Sequence, residues 1–234
     1  MLRKRRVVLR VHNELLLHNL GLHGFIHLWG AAGSGKTLLS SLIAADASRH
    51  GFVEWINTDS KRAFVGLLKT NVQTLNGRME NIKVTMTNGS REAIDAVTRL
   101  PEIAEDGTVL CVIDSITRTL DMGREDPLLW GREFIEKVFP TLASFASVKS
   151  INVLVTSECR QIPGLGTVPV LHRTIAKWAD HEIQVKRAGP KSRMNIIHSR
   201  YGEDEEFRIA TICPLQDGSL VIADTHPVPV SGEV

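Results

Sequence analysis

The segment Gly30-Ala31-Ala32-Gly33-Ser34-Gly35-Lys36-Thr37 fits the pattern G-x-x-x-x-G-K-[ST] at every fixed position. Glycines allow φ > 0, so consecutive backbone N–H groups can converge on one anion. Lys36 adds a cation that reaches the β and γ phosphates of a nucleotide. Thr37 offers a hydroxyl to magnesium. A helix starting at this point contributes the positive end of its dipole. The cradle so defined is Gly30, Ala31, Ala32, Gly33, Ser34, Gly35, Lys36, Thr37 and Leu38, and its chemistry is the binding of ATP with Mg2+. A second group fits the same purpose. Asp114 closes the apolar run 109–113, and a carboxylate at a strand end orders magnesium, usually through water.

Such residues need elements to hold them. The runs 25–29, 53–57, 82–86, 109–113 and 151–156 are rich in Val, Ile and Leu and predict strands. The run 109–113 is apolar throughout, as suits a central parallel strand covered on both faces. Leu38, Leu39, Leu42, Ile43 and Ala47 repeat at helical spacing over 37–50, and Gly51 ends that helix. Ser90 is expected to cap a helix with the stripe Ala93, Ile94, Val97 and Leu100, stopped by Pro101. A helical region follows over 129–149, with Pro140 as a kink or break. Beyond residue 180 the pattern becomes short strands, 181–186, 194–199, 207–212 and 220–223, joined by turn residues and expected to be antiparallel. The fold class is therefore α/β: a mainly parallel sheet flanked by helices, with an antiparallel C-terminal extension. One domain over 1–225 is expected, including an N-terminal strand or arm over 1–20, with a flexible tail over 226–234.

Composition narrows the class. The chain has 234 residues and a formal net charge of only +2, so any nucleic-acid site must be a local patch. Its three cysteines have no metal spacing and suit a reducing compartment, the cytoplasm. No apolar stretch approaches the ~18 residues of a membrane span. The basic start Met1-Leu2-Arg3-Lys4-Arg5-Arg6 lacks the apolar segment of a signal peptide.

Several segments in order resemble the RecA/RadA recombinases, above all their short RadB-like paralogs. Ile113-Asp114-Ser115-Ile116-Thr117 is similar to the family's strand-Asp-Ser-hydrophobe-Thr. Ile56-Asn57-Thr58-Asp59-Ser60 stands where the family has Ile-Asp-Thr-Glu-Gly, and Val155-Thr156-Ser157-Glu158 where it has Val-Thr-Asn-Gln. Phe207-Arg208-Ile209 resembles its Phe-Arg-Ile strand. The agreement runs from about residue 20 to 223. The resemblance implies a RecA-like ATPase core acting in homologous recombination or DNA repair.

Two departures fall on the hydrolytic residues. The family's water-polarising Glu is replaced by Asp59, whose carboxylate stops roughly 1.5 Å short on the same backbone. A misplacement of ~1 Å can cost about a hundredfold in rate. The family's γ-phosphate-sensing Gln is replaced by Glu158, which cannot donate to phosphate when ionised. Either Glu158 activates the water itself or sensing is altered. Lys36, Asp59 and Glu158 are thus the catalytic candidates, and slow turnover is expected. Arg62 is a candidate for base contact.

The loops that face DNA in the family correspond to 118–130 and 159–173, with Arg118, Arg124, Arg160 and Arg173 as phosphate contacts. Partners implied are single- or double-stranded DNA and a RadA-type recombinase, or self-association. The segment 6–11 is expected to pair with the edge of a partner's sheet. Two alternatives stand beside this reading. One is a KaiC-like or helicase-like ring ATPase; the other is a nucleotide-gated binding module with negligible turnover.

Overall fold

The computed structural model describes residues 7–9, 16–19, 21–59, 62–119, 134–164, 166–187, 194–199, 208–214 and 220–225. Its centre is a run of six parallel strands in the order β9-β2-β6-β5-β3-β4. These are β2 (Phe25–Trp29), β3 (Phe52–Asn57), β4 (Ile82–Met86), β5 (Thr108–Asp114), β6 (Asn152–Ser157) and β9 (His181–Arg187). Antiparallel strands continue the sheet beyond β9: β10 (Met194–Ser199), β11 (Arg208–Pro214), β12 (Leu220–Thr225) and finally β1 (Val7–Leu9).

Both faces of the parallel part are covered at its centre, which is why β5 reads as a continuous apolar run over residues 109–113. Side chains alternate between faces along each strand. Leu110, Val112 and Leu154 point with Ile26 and Leu28 to the helices α2 (Lys36–Ala47) and α3 (Ala63–Thr74). Cys111, Ile113, Val153 and Val155 point to the other side, where they meet Val97 of α4 (Ser90–Thr98) and Leu100 of the short α5 (Leu100–Ile103). Phe139, Leu142 and Phe145 of α6 (Phe139–Lys149) complete that layer. Two brief helical turns complete the numbering, α1 (Leu16–Asn19) and α7 (His172–Ile175).

Four expectations need correction. Strand 181–186 is not antiparallel to the core: β9 runs parallel to β2, and the direction changes only at the β9–β10 hairpin. The N-terminal strand does not wait for a partner's sheet, because Val7, Val8 and Leu9 pair with Ile222, Val221 and Leu220 of the same chain. Pro101 does not stop a helix; it stands in the first turn of α5, where a missing N–H costs nothing. Ser90 does not cap α4. Gly89 precedes the helix, and the Glu92 carboxylate accepts from the Asn88 N–H at 2.8 Å.

The segment 159–173 is more ordered than a glycine-containing loop suggests. It forms a hairpin of its own, β7 (Cys159–Ile162) with β8 (Gly166–Pro169). The tail 226–234 lies outside the described residues.

Candidate nucleotide and metal site

The strands that carry chemistry end side by side. In an open parallel sheet the carboxyl ends of the strands form the ligand crevice. The loop 30–35 leaves β2, Thr58 and Asp59 leave β3, Asp114 ends β5 and Glu158 leaves β6. The register makes the neighbours specific: Trp29 lies opposite Ser157, and Asp114 lies opposite Asn57.

Two glycines of the loop are dictated by geometry. A Cβ on Gly30 would collide with the carbonyl oxygen of Val185 on β9 and with Ser34 Oγ. Gly35 has φ 106°, a left-handed conformation that L side chains rarely adopt, and α2 starts immediately after it. The amides of Lys36, Thr37 and Leu38 thus belong to the first helical turn, where no carbonyl of the helix can accept from them. They form the donor end of a 12-residue helix at the mouth of the loop.

Lys36 Nζ donates to the carbonyls of Gly30 at 2.8 Å and Ala31 at 2.9 Å, so the side chain folds back over the loop. Burial holds its ammonium below the usual lysine value, opposed by the nearby Asp114, Cys159 and Glu158. Asp114 is 6% exposed. Its two oxygens are each taken: Thr37 Oγ1 donates to Oδ2 at 2.8 Å and Thr156 Oγ1 to Oδ1 at 2.6 Å. Burial raises the Asp114 carboxyl above its ordinary value, and the charge of Asp59 acts in the same direction. The two hydroxyls and Lys36 oppose this without cancelling it. A buried carboxylate of this kind is poised to receive a cation.

Thr58 braces the crevice from the β3 side. Its N–H donates to the Asp114 carbonyl at 2.9 Å, its hydroxyl donates to the Ser115 carbonyl at 2.6 Å, and the Ser115 N–H returns a bond to that hydroxyl at 3.0 Å. Thr156, Thr58 and Ser115 stand in the segments that carry the resemblance, but sequence reasoning assigns them no role. The available signal was the placement of Thr156 and Thr58 at strand ends beside a carboxylate-bearing strand.

Asp59 is half-buried at the rim, and its charge acts on Asp114. Glu158 is half-buried at the root of the hairpin, where its carbonyl accepts the Val170 N–H at 2.9 Å. The fold thus brings Lys36, Thr37, Asp59, Asp114 and Glu158 to one crevice. Arg62 is exposed just before α3, at the same end of the sheet. Arg160 on β7 and Arg173 in α7 are exposed and belong to the hairpin segment. Arg118 is placed by its backbone in a short turn after β5, and Arg124 lies outside the described residues. Among the described residues no cluster of His, Cys, Asp and Glu forms an all-protein metal cage, and no helix is long and apolar enough to cross a membrane.

No protein-family pattern and no curated protein matches the sequence. Among solved structures the chain is similar to one described as the crystal structure of the RadB recombinase. The identity is 16% and the TM-score 0.69, over 90% of this chain and 98% of that chain. The parallel sheet with its loop after β2, the flanking helices and the antiparallel extension thus share the RecA-like α/β fold of that structure.

Proposed function

We propose that this protein binds magnesium–ATP in the crevice at the ends of β2, β3, β5 and β6 and hydrolyses it slowly. It serves as an accessory ATPase of the RecA type in DNA recombination or repair. The observation that carries this is the Thr37–Asp114–Thr156 cluster beside the loop closed by Lys36: a hydroxyl and a carboxylate 2.8 Å apart at the start of a helix. Hard oxygen ligands of this type suit magnesium, which keeps several waters and binds through one or two protein groups plus phosphate. The loop amides and Lys36 would hold the phosphates, and Thr37 and Asp114 would hold the metal. Bound magnesium would supply neutralisation of the phosphate charge. Asp59 and Glu158, which leave β3 and β6 at this end of the sheet, are the candidates for activating the attacking water. The shorter Asp59 and the anionic Glu158 argue for a low rate.

The partners that fit are DNA, through Arg160 and Arg173 of the hairpin segment, and a RadA-type recombinase or a second copy. Two exposed cations bind phosphate weakly and without sequence preference. The test is ATP turnover with and without single-stranded DNA, alongside Lys36→Ala. DNA-stimulated turnover that vanishes in Lys36→Ala supports the reading. Turnover indifferent to Lys36→Ala would falsify it. The two acidic residues also favour a second reading, a module in which ATP only sets conformation. Tight nucleotide binding with no turnover above the Lys36→Ala background would select that one.

A further inference from the structure

Three buried polar side chains near the crevice lie on neighbouring strands: His27 on β2, Ser157 on β6 and Glu182 on β9. Strand alternation places His27 with Phe25 and Ser157 with Val155 on the face opposite α2. Glu182 falls on the same face, because its neighbour Ile183 points to the α2 side. They are 0%, 0% and 3% exposed.

His27 Nε2 lies 2.6 Å from Ser157 Oγ, and His27 Nδ1 lies 3.4 Å from Glu182 Oε1. The His27–Ser157 contact is a hydrogen bond whose direction follows the ring tautomer, and the Glu182 carboxylate stands within ion-pair range of Nδ1. The order Ser–His–acid is that of a hydrolytic triad, yet a serine without solvent contact cannot attack a diffusing substrate. The three groups have another use.

Ser157 faces Trp29 in the β2–β6 register, so the residues that follow, Glu158 and Gly30, leave their strands side by side. His27 faces Glu182 in the β2–β9 register, and β9 continues to Val185, whose carbonyl abuts Gly30. The three side chains therefore tie together the strand that presents Glu158, the strand that opens the phosphate loop and the strand that walls it. Stability alone explains such a set poorly, because burying polar groups costs free energy that their mutual contacts at best offset.

We propose that Glu182, His27 and Ser157 form a positioning chain that fixes the end of β6, and with it Glu158, against the phosphate loop. His27 thereby governs turnover without touching nucleotide. This rests on the nucleotide reading above.

The experiment compares wild type, His27→Leu, His27→Gln, Ser157→Ala and Glu158→Gln, and the double variant His27→Leu/Glu158→Gln. It measures kcat and KM for ATP, the Kd for ADP and the Tm. His27→Leu and Ser157→Ala are expected to lower kcat about tenfold while KM and the ADP Kd stay within twofold. His27→Gln, whose amide can both accept and donate, recovers most of the rate. The double variant is no slower than Glu158→Gln, because both changes remove one function. Should His27→Leu not fold, Ser157→Ala and His27→Gln carry the same comparison. The proposal is overturned by an unchanged kcat in folded His27→Leu or Ser157→Ala, by an ADP Kd that rises in step with the loss of rate, or by full additivity with Glu158→Gln. Failure of wild type to bind ADP overturns the nucleotide reading and this proposal together, and ADP binding without ATP turnover selects the nucleotide-gated module and overturns this proposal. The other failures overturn this proposal alone.

Discussion

Asp114 and Glu158 stand at the ends of adjacent parallel strands, and both act on the same lysine. They are held on different terms. Asp114 is sealed into the core, with one hydroxyl from α2 and another from β6 on its two oxygens. Glu158 is half-buried where β6 gives way to a surface hairpin, and its backbone is anchored to that hairpin through Val170. One carboxylate is thus fixed by the packed interior and the other by a peripheral element. Such a division lets the second side change without disturbing the first. It accounts for a site in which Thr37 and Asp114 keep a recognisable pattern while Asp59 and Glu158 do not.

The contrast can be broken at several points. The largest effect is expected from Lys36→Ala, which removes the cation common to both sides. Charge-assisted bonds to phosphate contribute about 1.5–3 kcal/mol each, so nucleotide affinity should fall by roughly two orders of magnitude in isothermal titration. Next, Glu158→Ala and Asp59→Ala should each lower turnover by about 10²-fold if the residue activates water, with the ADP Kd unchanged. If Asp59→Ala leaves the rate intact and Glu158→Ala abolishes it, the catalytic role has moved to β6.

Thr156→Val sharpens the metal side. It leaves Asp114 Oδ1 without its hydroxyl, a loss of about 1–2 kcal/mol. The magnesium concentration needed for half-maximal ATP binding should rise about tenfold, while magnesium-free ADP binding stays put.

Asp114→Asn should act in opposite directions on binding and on stability. Burial raises the Asp114 carboxyl, so the folded chain holds that proton to a higher pH than the unfolded chain. Stability is therefore lost as pH rises from the ordinary value of 3.8 through the raised one, and the loss is complete above it. Removing the charge should raise the Tm of the nucleotide-free protein at pH 7. A gain of about 1 kcal/mol corresponds to roughly 2–4 °C in a chain of this size. The advantage should fade below pH 4, and magnesium dependence should be lost throughout. A Tm gain that persists unchanged at pH 3.5 would show that the buried charge is not its origin. The smallest effect is expected from Arg160→Ala, which should weaken single-stranded DNA binding a few-fold and reduce the salt slope by about 0.7.

What could be read from the residues alone divides along similar lines. β2 and β5 are mostly apolar runs bounded by turn residues, and β4 alternates apolar and polar residues, so their limits follow from composition. The phosphate loop is legible because chemistry restricts its glycines, as the collision at Gly30 shows. Helix α3 escapes such reading. Its core positions Phe64, Leu68, Asn71 and Val72 are helically spaced, but Gly66, two valines and two threonines dilute the propensity, and no side chain caps its start. The β7–β8 hairpin escapes because its strands have only four residues each and pair with one another rather than with the core. The direction of β9 cannot be read locally, since it depends on which strand lies beside it. The buried partners Thr156, Thr58 and His27 became visible only with the fold, because their meaning depends on contacts across strands. At 16% identity to a structure of the same fold, most side chains have been exchanged while the backbone path persists.

The pairing of β1 with β12 has a consequence for how the chain is made. Val7–Leu9 emerges from the ribosome before every other described strand, and its seat, Leu220–Thr225, emerges after all of them. Residues of the parallel core can begin to collapse during synthesis, whereas the outer border of the sheet is completed only once the last strand is available. Until then β1 is an unclaimed strand, open to capture by another nascent copy. Domain-swapped dimers joined through this strand are the characteristic misassembly to look for when the protein is produced rapidly.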